Sequence, residues 1–482
     1  MDEATAKAWS EPTVDRLHLG FCEALASLDG DFAAREGAAL ALANELVRRW
    51  TERELGRLSE AYGDEIVVDG RHYRRHSEGV RRYHSLCGAV EVRRSLYRQI
   101  GVHNGPTVVP LEIEAGILEN ATPALATSVT QSFASMPLRH YEAEMRAAHR
   151  RVPSRSTLER IGKRVGSQLH ERLPSIEPAL RAAVALPTGA HSISVGLDRT
   201  TIPMAEPCEL RRRRRRRRKS YARKPPPPVT VAFRMAYVAT IAVHGRDART
   251  LTSVRLAATA NEGPDELLCR LGAELRCLLE QAPTLPVVVV QDGAPELWTL
   301  VEEWLRKLDV RMACGLIDRY HVDERLAASA AAVEKDVTKA RRLLDRWRHA
   351  LNHDSDGARR ICRDLARALH GPRKYENDFW PIDRGRVQWV DRHVVDGNLG
   401  YFLRHASKMN YAAARRRHFP IGSGVTEGAC KSVIAARFKR SGQRWSETGA
   451  STCLLLRTLH LDARLPSCVE LFAKSRRETL AC

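Results

Sequence analysis

Three carboxylates that lie far apart in the chain are the side chains best suited to chemistry. Asp198 ends the apolar run 192–198, and Asp292 comes just after four consecutive valines, a pattern typical of a strand buried on both faces. Glu427 follows a Gly-Ser-Gly break and precedes Lys431 by four residues. Sets of rigidly held carboxylates bind divalent cations that assist phosphoryl transfer. The sequence therefore favours metal-dependent chemistry on a phosphate-containing substrate.

The charge of the chain indicates a polyanionic partner. Its 482 residues include 78 Lys and Arg against 58 Asp and Glu, a formal net charge of +20, and nucleic acid is the leading partner for such a balance. Residues 408–445 contain nine Lys or Arg and only one acid, Glu427. This count is too one-sided for an ordinary solvated surface.

Cysteine usage and hydropathy indicate a cytoplasmic protein, which the expected nucleic-acid partner would associate with the nucleoid. The eleven cysteines are scattered singly, with no C-x-x-C pair, and are expected to be reduced thiols that form neither disulfides nor a zinc ribbon. The N-terminus lacks the pattern of a signal peptide, and no stretch of 18 apolar residues occurs. We therefore expect neither secretion nor a membrane partner.

The elements that must position the acids follow from periodicity and indicate an α/β protein with a mixed sheet. Strands ending on acids alternate with helices, and a long helical region separates Asp292 from Glu427. The predicted segments are a mixed helical and strand N-terminal module (1–110), a helical DNA-binding region (111–190), the first part of a catalytic core (191–330), an all-helical insertion (331–418), and the final part of the core (419–482).

A candidate helix-turn-helix lies in the second segment. Helix 138–149 is followed by a break and by helix 154–169, in which Ser156 and Glu159 fit a capping box. Apolar residues fall on one face of this second helix, and four cations are left for solvent or DNA, namely Arg155, Arg160, Lys163 and Arg164. Helix pairs with basic outer faces are common, so simple structural packing is an equal alternative to DNA recognition.

A tract of nine adjacent cations, 211–219, is followed by four prolines at 225–228. Repulsion between the cations and the extended preference of proline predict a disordered loop. A tolerated insertion and a nonspecific tether for DNA phosphates are equally good interpretations.

Five motifs together resemble bacterial insertion-sequence DDE transposases of the ISKra type, which are related to Mutator-like transposases. The motifs are the segments 194–198, 290–294, 316–322, 421–427 and 437–446. The similarity extends over roughly residues 85 to 465, and its C-terminal block is the most specific part. It implies an RNase H-like catalytic domain with a helical insertion before the glutamate.

The resemblance also implies roles for individual side chains. Asp198, Asp292 and Glu427 would be the catalytic acids and would ligate two Mg²⁺ or Mn²⁺ ions. Asp318 and His321 would form a D-x-x-H pair near the active site, although a His in such a place is more often an ordinary polar contact.

Further cations near Glu427 are candidates for binding DNA. Lys431 lies one turn beyond Glu427, where it can hold a DNA phosphate or form an ion pair with Glu427. Trp445 can stack on a base, but packing in the core is the more common role. The residues expected to line the DNA path are Arg437, Lys439, Arg440 and Arg444.

Two positions depart from the family pattern. Arg199 follows Asp198 where relatives usually have glycine, and residues 99–104 lack the paired cysteines that would suit zinc. We therefore expect no zinc site in that segment.

The leading functional prediction is a transposase that cuts and joins the inverted repeats of an element and its target DNA, acting as a homo-oligomer. The alternatives are a catalytically inactive transposase-derived DNA-binding protein and a metal-dependent nuclease without strand transfer. The chain has no Walker-type lysine loop, which argues against ATP hydrolysis.

Overall fold

The computed structural model describes residues 11–26, 29–208, 229–370 and 391–481. The arginine and proline tract at 211–228 lies outside these residues. The chain divides into two compact units, one formed by Met1–Ile176 with Leu465–Cys482 and the other by Glu177–Arg464. The predicted boundaries differ from this division, because residues 465–482 belong with the first unit and residues 177–190 with the second.

The first unit combines helices with a five-stranded antiparallel sheet of order β10-β1-β2-β3-β4. Strand β1 pairs with the last described strand of the chain, which explains why the C-terminus joins this unit. The elements are α1 (Glu11–Leu25), α2 (Phe32–Glu60), β1 (Glu65–Val68), β2 (Arg71–Ser85), β3 (Gly88–Gln99), β4 (Thr107–Val108), α3 (Pro110–Glu114), α4 (Pro123–Ser135), α5 (Leu138–Ala147), α6 (Arg155–Ala182, which continues into the second unit), α17 (Leu465–Glu478) and β10 (Leu480–Ala481).

Helix α6 confirms the predicted apolar face but not the predicted cap. The helix begins at Arg155, so Ser156 lies inside its first turn and cannot act as the N-cap. Glu159 pairs with Lys163 at 2.6 Å instead of closing a capping box. The residues of the predicted apolar face are all fully buried, namely Leu158, Ile161, Val165 and Leu169.

The second unit is built on a mixed five-stranded sheet of order β7-β6-β5-β8-β9, which confirms the predicted α/β class. The first three strands form an antiparallel meander, and β8 and β9 run parallel to β5. Strand β8 is buried along its whole length, as its four valines predict. The strands are β5 (Ser192–Pro207), β6 (Val229–His244), β7 (Thr250–Ala258), β8 (Val287–Gln291) and β9 (Met312–Ile317).

Helices pack on this sheet and add a helical region to the second unit. The predicted helical region before Glu427 is present throughout its described part, and Trp347, Leu351, Ile361 and Leu365 join it to the core of the sheet. The helices are α7 (Gly263–Gln281), α8 (Pro295–Lys307), α9 (Arg319–Val333), α10 (Val337–His353), α11 (Gly357–His370), α12 (Arg392–His405), α13 (Tyr411–Arg416), α14 (Gly424–Ala429), a π-helical segment (Cys430–Ala435), α15 (Ala436–Phe438) and α16 (Glu447–Leu461).

None of the helices in the described residues is both long enough and apolar enough to cross a bilayer.

Candidate functional site

Asp198 and Asp292 lie side by side on neighbouring parallel strands. Strands β5 and β8 pair with Val195 opposite Val289, and three further residues along each strand lead to Asp198 and Asp292. The strands are still adjacent beyond the paired residues, because the buried Gln291 side chain accepts a hydrogen bond from the Leu197 N–H at 3.3 Å. Sequence position and register therefore bring the first two predicted acids together.

The helix that carries Glu427 packs on the same strands. Thr426 is buried, and its Oγ1 lies 2.7 Å from Oγ1 of Thr240 on β6. Thr240 pairs with Gly196, and a Cβ on Gly196 would overlap the Thr426 hydroxyl and would lie 2.9 Å from the Val290 carbonyl oxygen. The close approach is possible only because residue 196 is glycine.

Alternation along β5 puts Asp198 on the same face of the sheet as Gly196, which is the face that Thr426 covers. All three predicted acids therefore lie on adjacent elements at one place on the sheet.

Cys430 connects the Glu427 helix directly to Asp198. Its thiol is buried and hydrogen-bonds the Asp198 carboxylate, and burial, with Asp198 as the next cause, raises the pKa of the thiol well above its usual range. Cys430 begins the π-helical segment that follows α14. Single π-helical turns are rare and occur frequently at functional sites.

Each acid already has a protein partner, which for Asp292 is the N–H of Gly293. An Asp198 oxygen accepts the N–H of Arg199 at 2.7 Å, and the Arg199 guanidinium pairs with Glu296 at the start of α8. Lys431 Nζ lies 2.6 Å from Glu427 Oε1, and this hydrogen bond raises the pKa of the lysine. The predicted ion pair is thus present.

In donor type the three carboxylates suit Mg²⁺ or Mn²⁺, which prefer oxygen ligands. Across the described ranges, however, no group of three or more His, Cys, Asp or Glu side chains is arranged to hold a metal ion. Metal binding here would require the acids to exchange their present partners, such as Lys431, for the ion.

Asp318 acts as an anchor for the loop before Glu427. It is 2% exposed and accepts hydrogen bonds from the N–H groups of Tyr320 at 2.6 Å and His321 at 3.3 Å. Its other oxygen accepts the N–H of Ser423 and the Ser423 hydroxyl, the latter at 2.5 Å. Through these four hydrogen bonds the Asp318 carboxylate connects the start of α9 to the Gly-Ser-Gly loop.

His321 is placed differently from Asp318. Its side chain is 36% exposed, and its Nδ1 lies 3.5 Å from Oε2 of Glu324, one turn further along α9. Of the two residues in the predicted D-x-x-H pair, Asp318 is therefore buried and His321 is accessible to solvent.

The helical region contributes Tyr401 beside Asp292. A Cβ on Gly293 would lie 2.7 Å from the Tyr401 ring, so the tyrosine packs against the turn that carries Asp292. Burial, followed by the negative charge of Asp292, raises the pKa of Tyr401 to about 12. The sequence offered no motif for Tyr401, whereas a glycine inside an apolar strand could have identified Gly196.

The cations beyond Glu427 separate into exposed and buried ones. Lys439, Arg440 and Arg444 are exposed, and Lys439 Nζ donates to Thr200 Oγ1 at 2.5 Å, two residues beyond Asp198. The prediction that Arg437 lines the DNA path is wrong, because this residue is 4% exposed.

The guanidinium of Arg437 lies 4.7 Å from the centre of the Trp445 ring, and burial lowers its pKa. Trp445 in turn packs on Phe438 with ring centroids 4.5 Å apart. Its backbone pairs with the outer half of β5 through Pro203 and Ala205. Both aromatic and guanidinium groups therefore belong to the packing of this segment.

In the first unit, the four cations predicted on the recognition helix are all exposed, although Lys163 is paired with Glu159. They are Arg155, Arg160, Lys163 and Arg164. Their exposure agrees with both interpretations of α6, DNA recognition and an ordinary solvated face.

Comparison with models of known protein families gave no match, and no curated protein is detectably similar to the chain.

Proposed function

We propose that the second unit is a metal-dependent DDE transposase that cuts and joins DNA, with Asp198, Asp292 and Glu427 as its catalytic acids. The observation that carries this proposal is their convergence: two lie in register on adjacent parallel strands, and the third lies on a helix that packs against the same strands. The strand order β7-β6-β5-β8-β9 is compatible with an RNase H-like fold.

Two Mg²⁺ or Mn²⁺ ions would supply charge stabilisation and activation of the attacking oxygen in such a reaction. The chain itself would hold the acids in place through Thr426, Asp318 and Cys430. Lys431, which is 72% exposed, would exchange Glu427 for a DNA phosphate. Lys439, which donates to Thr200 two residues beyond Asp198, would contact the same DNA strand. Terminal inverted repeats and target DNA are the expected substrates, bound by a homo-oligomer.

The partners already held by the acids favour a second candidate, a transposase-derived protein that binds DNA without cutting it. In that case the Glu427–Lys431 pair and the Cys430–Asp198 hydrogen bond would be permanent parts of the fold.

A supercoiled plasmid that carries the genomic sequences flanking the reading frame tests the proposal. With Mg²⁺ or Mn²⁺ we expect nicked and joined products, and Asp292→Asn should lower the nicking rate by at least about 100-fold while DNA binding is kept. Glu303→Gln, which removes one exposed charge from α8, should leave the rate unchanged.

Three results would contradict the proposal in different ways. A wild-type protein that binds the plasmid but never nicks it with either metal would support the binding protein. Cut ends without joined products would indicate a nuclease. An Asp292→Asn variant that nicks normally would remove this residue from the site.

A further inference from the structure

A groove in the helical region is lined mainly by cations. It lies between α10 and α11, is also lined by Arg416 at the end of α13, and has a volume of about 770 Å³. We call it the basic groove. Its charged lining consists of five arginines, two histidines and two aspartates, namely Arg346, Arg360, Arg363, Arg367, Arg416, His349, His353, Asp354 and Asp364. None of these residues belongs to the candidate active site.

The shape of the groove follows from the sequence of the helix pair. Helices α10 and α11 are joined by a three-residue turn, and a Cβ on Gly357 would collide with the Ala350 carbonyl group. Glycine at this position therefore allows α11 to start directly against α10. The apolar faces of both helices are buried, which directs their polar stripes to the groove.

On each of the two helices the polar residues are spaced so that they lie on one face. On α10 the positions are Arg346, His349 and His353, and on α11 they are Arg360, Arg363 and Arg367. Intervals of three and four residues place such side chains above one another along a helix. Two facing rows of donors are the result.

The acids in the groove do not balance its cations. Asp364 accepts a hydrogen bond from Trp347 Nε1 at 2.8 Å and lies 3.5 Å from Arg346, and Asp354 lies 2.5 Å from Arg360. Arg363 also pairs with Asp356, outside the lining, at 3.3 Å. Five arginines against these three aspartates leave a formal excess of two positive charges without the histidines. An excess of like charge within one groove is stabilised by an anionic partner.

The kind of anion follows from what the groove lacks. Trp347, the only aromatic side chain apart from the two histidines in its lining, is 1% exposed and has its indole N–H bonded to Asp364. No large aromatic face is therefore available for stacking unpaired bases, which is how single strands are commonly held. Arginines in rows suit the regularly spaced phosphates of a duplex backbone.

We propose that the basic groove binds the sugar–phosphate backbone of duplex DNA, as a contact separate from the candidate active site. The choice of DNA as the duplex rests on the proposed function. The groove would hold the DNA without reading its sequence, because phosphate contacts carry no base information.

Binding of a 30-base-pair DNA duplex, measured in EDTA as a function of salt, tests the proposal in the full-length Asp292→Asn protein. The test variant replaces three groove arginines by glutamine at Arg346, Arg367 and Arg416. If each contacts a phosphate, the slope of log K against log salt should fall by up to about 2.7, since each contact contributes about 0.9. At about 0.1 M salt the affinity should fall on the order of 100-fold.

Two further variants distinguish binding in the groove from two other effects, a change in the total charge of the protein and a loss of folding. Glutamine at Arg306, Lys307 and Arg311 removes the same charge from exposed positions of the second unit that lie outside both groove helices. This control should leave the slope within about 0.9 of the parent value. Lysine at the three groove positions keeps the charge and should restore most of the slope.

The proposal would be overturned if the slope of log K against log salt fell equally in the groove and control variants. It would also be overturned if lysine at the groove positions did not restore the slope. Tighter, groove-dependent binding of an RNA duplex would overturn the choice of DNA. Because binding is measured in EDTA without cutting, failure of the nicking assay and failure of the groove are independent results.

Discussion

Replacing Gly196 by alanine tests the contact that brings Glu427 to the acid-bearing strands. The added Cβ would overlap the Thr426 hydroxyl and would lie 2.9 Å from the Val290 carbonyl oxygen, a backbone atom that cannot move aside easily. Overpacking of this kind costs about 1–3 kcal/mol. We therefore expect Gly196→Ala to lower the free energy of unfolding by that amount and to reduce nicking, because the helix carrying Glu427 must shift.

Urea unfolding followed by tryptophan fluorescence measures the change in the relevant unit. Only Trp9 and Trp50 of the eight tryptophans precede the second unit, so the signal reports mainly on that unit. The midpoint should fall without a change in the dependence on urea. Gly424→Ala is the matched control, since nothing lies within 4 Å of its added Cβ, and its stability should stay the same or rise by up to about 1 kcal/mol.

A double-mutant cycle assigns the effect to this contact. Thr426→Ala removes the overlapping hydroxyl, although it also leaves the buried Thr240 hydroxyl without its partner. The double variant should therefore be more stable than the sum of the single changes by at least about 0.5 kcal/mol. A Gly196→Ala protein that unfolds within about 0.5 kcal/mol of wild type and nicks at the wild-type rate would refute the packing of the Glu427 helix on β5.

Three other perturbations have expected outcomes. Ser423→Ala should cost about 1–2 kcal/mol of unfolding free energy in urea and slow nicking, since buried Asp318 loses the hydroxyl donor, and Ser423→Thr should restore both. Arg437→Ala should destabilise the fold by about 1–3 kcal/mol yet keep the salt slope of DNA binding, whereas Arg444→Ala should lower that slope by about 0.9 without loss of stability. Burial lowers the pKa of His244 below 6.5, so the unfolded chain takes up a proton first and stability should fall as pH drops below 6.5. Urea titrations at pH 7.5 and 5.5 should show a smaller fall in His244→Gln.

The sequence predicted the sheet because its strands have unambiguous patterns. Four consecutive valines before Asp292 are typical of a strand buried on both faces, and β8 is such a strand. The boundary at Leu465 could not be predicted, because it depends on pairing between β10 and β1, strands about 400 residues apart in the chain.

The misplacement of Arg437 has a different cause. Counting cations between 408 and 445 ignores which face of the helix each one occupies. Val433 and Arg437 are four residues apart, as are Ile434 and Phe438, and all four are buried. The interval therefore already indicated that Arg437 belongs to the inner face. By contrast, the hydrogen bond between Cys430 and Asp198 joins distant segments and left no periodic signal.

The supports that position the three acids do not depend on the charges of those acids. Thr426 packs on Gly196 and bonds Thr240, Gln291 bonds the backbone of Leu197, and Asp318 bonds Ser423. Replacing Asp292 by asparagine removes none of these contacts, so a loss of nicking in that variant would report on chemistry and not on folding. The acids themselves are held by Lys431, by the Cys430 thiol and by backbone N–H groups, which offset the repulsion between neighbouring carboxylates. In the proposed reaction a dication would take over this role from Lys431, and the released ammonium would lie beside the acids, where it could bind a DNA phosphate.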